Sequence, residues 1–188
     1  MAEKNVLFVV GSLREGSFNR ALAETAAGML EERVAVAYLD YADVPFMNQD
    51  IEFPPPESVT RVRGEVMAAD AAWFFTPEYN HDIPAQLKNL LDWLGRPLVA
   101  RDYATPMPLT GKPVAIAGAG GQAGTADCRA GLERLLLRLG ACPVDGVGEG
   151  FPLPAQAWKS GVYEPSQDDR ARLAAQADAL IAALQGAM

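Results

Sequence analysis

A chain of 188 residues, 49% hydrophobic and 21% charged, is long enough to bury a full core and short enough to be one domain over residues 1–188. Its formal net charge of −8 sets it against polyanions, so neither nucleic acid nor an anionic membrane is expected as a partner. Cys128 and Cys142 show neither a Cys-x-x-Cys pattern nor metal-ligand spacing, and the short start Met1–Asn5 offers neither a secretory leader nor a membrane helix. A reduced, cytoplasmic protein without a metal site is the expectation.

The first element is the apolar run Val6-Leu-Phe-Val-Val10, which predicts a buried strand over about 5–11. It breaks at Gly11, and hydroxyls, an amide and arginines then open a helix over about 17–32. A strand passing directly into a helix leaves backbone N–H groups unpaired beside the positive end of the helix dipole, a geometry that captures phosphate. Ser12, Ser17 and Asn19 add neutral donors there, and Arg14 a planar charged one. Four such groups exceed what one helix cap requires. Arg20 lies inside the helix and fits a surface charge equally well. There is no Gly-Lys-Ser/Thr, which excludes a Walker loop, and no cysteine precedes Arg14 as a thiolate phosphatase loop demands. The loop suits holding a terminal phosphate monoester, not transferring it.

A second strand is predicted over about 34–40. Pro45 and Pro54-Pro-Pro56 then forbid a continuous element until a helix over about 57–69. The third strand, about 71–76, ends in the polar loop Pro77-Glu-Tyr-Asn80, and a helix follows over about 82–95. Its leucines Leu87, Leu90, Leu91 and Leu94 recur at helical spacing, and Trp93 falls off that stripe. A proline-rich loop, Arg96–Lys112, leads to a fourth strand over about 113–118, then Gly118-Ala-Gly-Gly-Gln-Ala123 and a helix over about 125–139. Cys128 shares that helix's leucine stripe and is expected in the core, whereas Leu137 falls outside it. A fifth strand over about 142–147, an irregular stretch Gly150–Pro165 and a last helix over about 167–185 complete the chain. Strands alternating with helices predict a parallel sheet covered on both faces.

Gly118–Ala123 also fits the Gly-x-Gly-x-x-Ala dinucleotide fingerprint. It follows the fourth strand, however, and not the first, and Asp145 is poorly placed to be its acidic partner. The glycines are read instead as permitting close backbone approach to a ligand.

Two stretches, Gly-Ser-Leu-Arg-x-Gly-Ser-x-Asn-Arg from Gly11 and Pro-Glu-Tyr-Asn-x-x-x-Pro-x-x-x-Lys-Asn-x-x-Asp-Trp from Pro77, carry a further signal. Together with Gly118-Ala-Gly-Gly121 they closely resemble the NADPH-dependent FMN reductase family, which includes quinone, azo-dye and chromate reductases. The resemblance spans roughly residues 5 to 150, with three motifs in register. It implies an α/β fold of the flavodoxin-like kind, a three-layer sandwich around a five-stranded parallel sheet of order 2-1-3-4-5. The ligand crevice of such a sheet lies at the carboxyl ends of strands 1 and 3, where Gly11–Asn19 and Pro77–Asn80 fall.

The resemblance further implies bound FMN, with NADPH or NADH as a transient hydride donor. The phosphate would sit on Ser12, Arg14, Ser17 and Asn19, and the flavin ring beside Pro77, Glu78, Tyr79, Asn80, Gly118, Gly120 and Gly121. Acceptors would be small molecules (quinones, azo compounds, metal ions such as chromate, or free flavin) reduced in ping-pong fashion. The cofactor carries the redox chemistry, so no protein acid or base is required, and the single histidine, His81, reads as a helix-start or subunit-contact residue. Trp93 and Leu137, both off their core stripes, suggest a subunit interface, and the resemblance implies a homodimer or homotetramer. The alternative from another class is an electron carrier that binds FMN but has no substrate of its own. Residues after Gly150 depart most from the family's pattern.

Overall fold

The computed structural model describes residues 4–186, so the expectation for the chain start falls partly outside the described residues. Six parallel strands form one sheet: β1 Asn5–Val10, β2 Ala35–Tyr38, β3 Ala71–Phe75, β4 Pro113–Gly120, β5 Cys142–Pro143 and β6 Glu149–Pro152. The order is β2-β1-β3-β4-β5, with β6 also paired to β4. This is the expected flavodoxin-like order. The helices are α1 Phe18–Leu30, α2 Glu57–Ala68, α3 Ala85–Leu94, α4 Ala126–Arg138, α5 Ala155–Ser160 and α6 Gln167–Gly186.

Alternation along β1 and β3 sends side chains to both faces of the sheet. Val6, Phe8, Trp73 and Phe75 pack under α1 and α6, while Leu7, Val9 and Phe74 pack under α2, α3 and α4. The aromatic set is interlocked: Trp73 stacks on Phe75 at 5.1 Å, and Phe8 meets Trp73 edge-on at 5.7 Å. β3 is buried along its whole length, as expected for a central parallel strand.

The fifth strand differs from the expectation of a single run over 142–147. It is split into β5 and β6, which pair with opposite halves of β4. Gly146 and Gly148 between them adopt positive φ. A side chain at Gly148 would meet the carbonyl oxygen of Ile116 at 1.9 Å, so the chain crosses here only because that position is bare. Gly150–Pro165 is correspondingly more regular than expected, since it contains most of β6 and all of α5.

Trp93 also departs from the expectation of a subunit-facing residue. It is fully buried within its own chain. Its indole N–H donates to the Pro45 carbonyl at 2.8 Å, and Asn89 donates to the same oxygen at 3.0 Å while accepting from the Met47 amide at 2.8 Å. The Lys-Asn-x-x-Asp-Trp end of α3 thus anchors the proline-bearing loop after β2. An indole with an N–H to satisfy fits that place well. Leu137, by contrast, is 53% exposed on α4.

Candidate functional site

β1 and β3 are neighbours whose connections leave in opposite directions, so their carboxyl ends open a crevice. The Gly11 amide donates to the Phe75 carbonyl at 2.7 Å and the Thr76 amide to the Ala117 carbonyl at 2.9 Å, so β1 and β3 end side by side while β4 runs on to Gly120. A cavity of about 340 Å³ lies there. Ser12, Arg14, Ser17, Asn19, Pro77, Glu78, Tyr79, Gly120 and Gly121 all line it. Residues a hundred positions apart therefore share one site.

One half of the cavity is built on the start of α1. Ser17 caps the helix, its Oγ accepting from the Arg20 amide at 3.4 Å, which leaves its O–H to donate elsewhere. The first turn of α1 contains no acidic side chain, so its positive end stays free for an anion. Arg14 folds over the loop, donating to the Gly16 carbonyl at 2.6 Å with its guanidinium 5.0 Å from the Phe18 ring centroid. Arg20 turns away to lie 4.4 Å from the Tyr38 ring and does not line the cavity. Asn19 is committed to the scaffold. Its amide donates to the Ala119 carbonyl at 3.0 Å and accepts from the Ala119 amide at 2.9 Å, bolting α1 to β4.

The second half comes from the loops after β3 and β4. Glu78 accepts from the Cys128 amide at 2.9 Å and so caps α4, taking one of the N–H groups otherwise available at that helix start. Tyr79 is 47% exposed at the rim. Asn80 and His81 both adopt positive φ in a tight turn closed by mutual Tyr79 and Asp82 backbone bonds. That turn carries Asn80 out of the cavity and onto a shallower depression beside α3. His81 lies exposed with Nδ1 2.8 Å from Asp127. Burial pushes the Cys128 thiol up to about 11, and its sulfur lies 3.5 Å from the Thr76 hydroxyl, as suits a core residue.

Gly118 and Gly120, at the end of β4, are bare for a different reason from the one expected. A side chain at Gly118 would sit 1.9 Å from Thr125 Oγ1, and one at Gly120 2.6 Å from Thr125 Cγ2. Gly118 does not line the cavity, and the space above it belongs to Thr125. Gly121 alone of the three has no atom within 4 Å of its missing side chain. Asp145, doubtful as a ribose partner from its spacing, is held by Gln176, and burial raises its pKa.

Phe18, Leu153, Trp158 and Gly161 also line the cavity and were missed by sequence reasoning. Phe18 occupies an unspecified position inside the first motif. Trp158 and Gly161 lie in the stretch that followed no recognised pattern; the aromatic Phe151, Trp158 and Tyr163 were its only signal.

The donor set fits a flavin mononucleotide: a helix start, two hydroxyls and one guanidinium at one end, and backbone with apolar walls at the other. A family model described as NADPH-dependent FMN reductase matches residues 4–151, a span that ends short of Trp158 and Gly161. An NAD(P)H-dependent FMN reductase of Pseudomonas aeruginosa is 38% identical over 144 residues, which cover 74% of this chain and 73% of that protein. A quinone reductase of Escherichia coli is 36% identical over 146 residues, 75% of this chain and 74% of its own. Among solved structures, the flavoenzyme NAD(P)H:(acceptor) oxidoreductase FerB of Paracoccus denitrificans superposes with a TM-score of 0.84 at 30% identity, covering 97% of this chain and 98% of its own.

Proposed function

The chain belongs to the NADPH-dependent FMN reductase family, and from that premise we propose that it is an FMN-dependent oxidoreductase passing hydride from NAD(P)H to small acceptors such as quinones. The observation that carries this reading is the single cavity wall shared by the phosphate-capturing start of α1 and the loops after β3 and β4.

In it, Ser12, Ser17 and the first free N–H groups of α1 bind the phosphate, with Arg14 neutralising its charge. Asn19 acts one step back, fixing α1 against β4. Pro77, Tyr79 and the bare backbone of Gly121 shape the ring end, and Glu78 holds α4 in place. Bound FMN supplies the hydride chemistry itself. The side chains orient the flavin and leave one end of the cavity open at Tyr79 for donor and acceptor in turn. Among the described residues no helix is long and apolar enough to cross a membrane. A homo-oligomer working in the cytoplasm is consistent with the exposed Leu137, with exposed Phe46 beside the depression next to Tyr79, and with the net charge.

The test is simple. Purified protein with bound flavin, given NADPH and benzoquinone, should oxidise NADPH without a partner reductase. A protein that keeps its flavin but turns over only when a separate reductase is added would be an electron carrier instead.

A further inference from the structure

The segment following β6 supplies Leu153, Trp158 and Gly161 to the cavity wall, beside the proposed phosphate cradle. From Pro152 the chain passes Leu153 on the cavity wall, forms α5, and returns to the first turn of α1. There Trp158 meets the Phe18 ring edge-on at 5.5 Å and Tyr163 meets it at 6.4 Å, while Arg14 lies 5.0 Å from the same ring. Gly161 ends α5 with φ of 74°, so the chain turns sharply enough to place it beside Ser17 and Phe18. Arg14, Phe18, Trp158 and Gly161 therefore line the cavity together with Ser12 and Ser17.

Trp158 is unlike the other tryptophans. Trp73 and Trp93 are fully buried, whereas Trp158 remains 58% exposed on the cavity wall. An indole so exposed adds little to the core, and its place at a cavity mouth asks what it excludes. In FMN the phosphate is the last group of the molecule. In a flavin dinucleotide a second phosphate and an adenosine continue beyond it, and Trp158 lines the cavity next to Phe18 and Arg14, at the proposed phosphate end. A cavity of about 340 Å³ has no space for that second half inside.

Resting on the proposed FMN site, we propose that Trp158, presented by α5, selects flavin mononucleotide over flavin dinucleotide by filling the path a second nucleotide half would take. The selection is steric, so it depends on ring volume and not on the indole N–H.

Competition is the direct test. The full chain is equilibrated with equal concentrations of FMN and FAD, and the flavins retained are released and quantified. Wild type should retain FMN over FAD by at least tenfold. Trp158→Ala should raise the retained FAD-to-FMN ratio at least fivefold, and Trp158→Phe should stay close to wild type because a ring still fills that place. Trp158→Leu, which keeps an apolar side chain over Phe18, should fall between them and serves if the alanine variant proves unstable. Retention of FAD by wild type as readily as FMN would overturn the proposal. So would an unchanged ratio in Trp158→Ala and Trp158→Leu while wild type still holds FMN and oxidises NADPH, and in that case the proposed function survives. If wild type retains neither flavin, both readings fall together.

Discussion

Among the cavity-lining residues Arg14 alone carries a positive charge, and its neighbours in the cradle offer only neutral donors. A charge-assisted hydrogen bond contributes about 1.5–3 kcal/mol, and 1.4 kcal/mol is tenfold in affinity. Arg14→Ala should therefore raise the Kd for FMN at least about tenfold, read by flavin fluorescence titration, without disturbing the fold, since its own contacts are the exposed Gly16 carbonyl and the face of the Phe18 ring. Riboflavin, which lacks the phosphate, should bind the variant and the wild type alike. Tight riboflavin binding by wild type, equal to that of FMN, would refute the phosphate role. Ser17 is a weaker probe because it also caps α1, so its loss mixes helix stability with binding. Asn19 is weaker still: removing it leaves the Ala119 backbone unpaired in the interior.

At the scale of elements, the junction between β4 and α4 decides what the glycine motif is for. Thr125 adopts a left-handed conformation at the start of α4, is 1% exposed, and occupies the space above Gly118 and Gly120. Gly118→Ala forces a methyl into Thr125 Oγ1 and to within 2.9 Å of the Thr76 carbonyl. Overpacking of this kind costs about 1–3 kcal/mol. The melting temperature of the flavin-free protein should fall by several degrees, because 1 kcal/mol shifts a domain of this size by about 2–4 °C. If the glycine instead made room for the flavin, the variant would melt normally and bind FMN poorly. The split of the fifth strand obeys the same rule of close backbone approach, with Gly148 crossing against Ile116.

For the molecule as a whole, the surface left uncovered sets the expectation of self-association. Leu137 projects from α4 and Phe46 is 80% exposed, on a chain with a net charge of −8. Sedimentation at micromolar concentration should show at least a dimer, and Leu137→Glu should weaken it while leaving the thermal transition close to wild type. A sharp monomer boundary in the wild-type protein would defeat this expectation. Trp93→Glu should behave differently. It buries a charge in the core and breaks the bond to Pro45, so it should unfold the protein and not merely separate subunits.

Local pattern alone determined the order and kind of most elements, because strand runs and helical leucine stripes are set by which face must be buried. It also marked the start of α1 as a place where Ser12, Arg14 and Ser17 come together, since a strand, a glycine and a helix start follow one another within ten residues. What lay beyond reach were the relations between distant segments. Whether Trp93 faces a partner or Pro45, whether Gly118 faces a ligand or Thr125, and whether Asn80 points into or away from the crevice depend on contacts that no spacing encodes. Trp158 reaches the cavity only because α5 folds back from β6 onto α1, across a gap of 140 residues from Phe18. Burial and hydrogen bonding between such segments are properties of the packed chain, and only the tertiary structure could assign them.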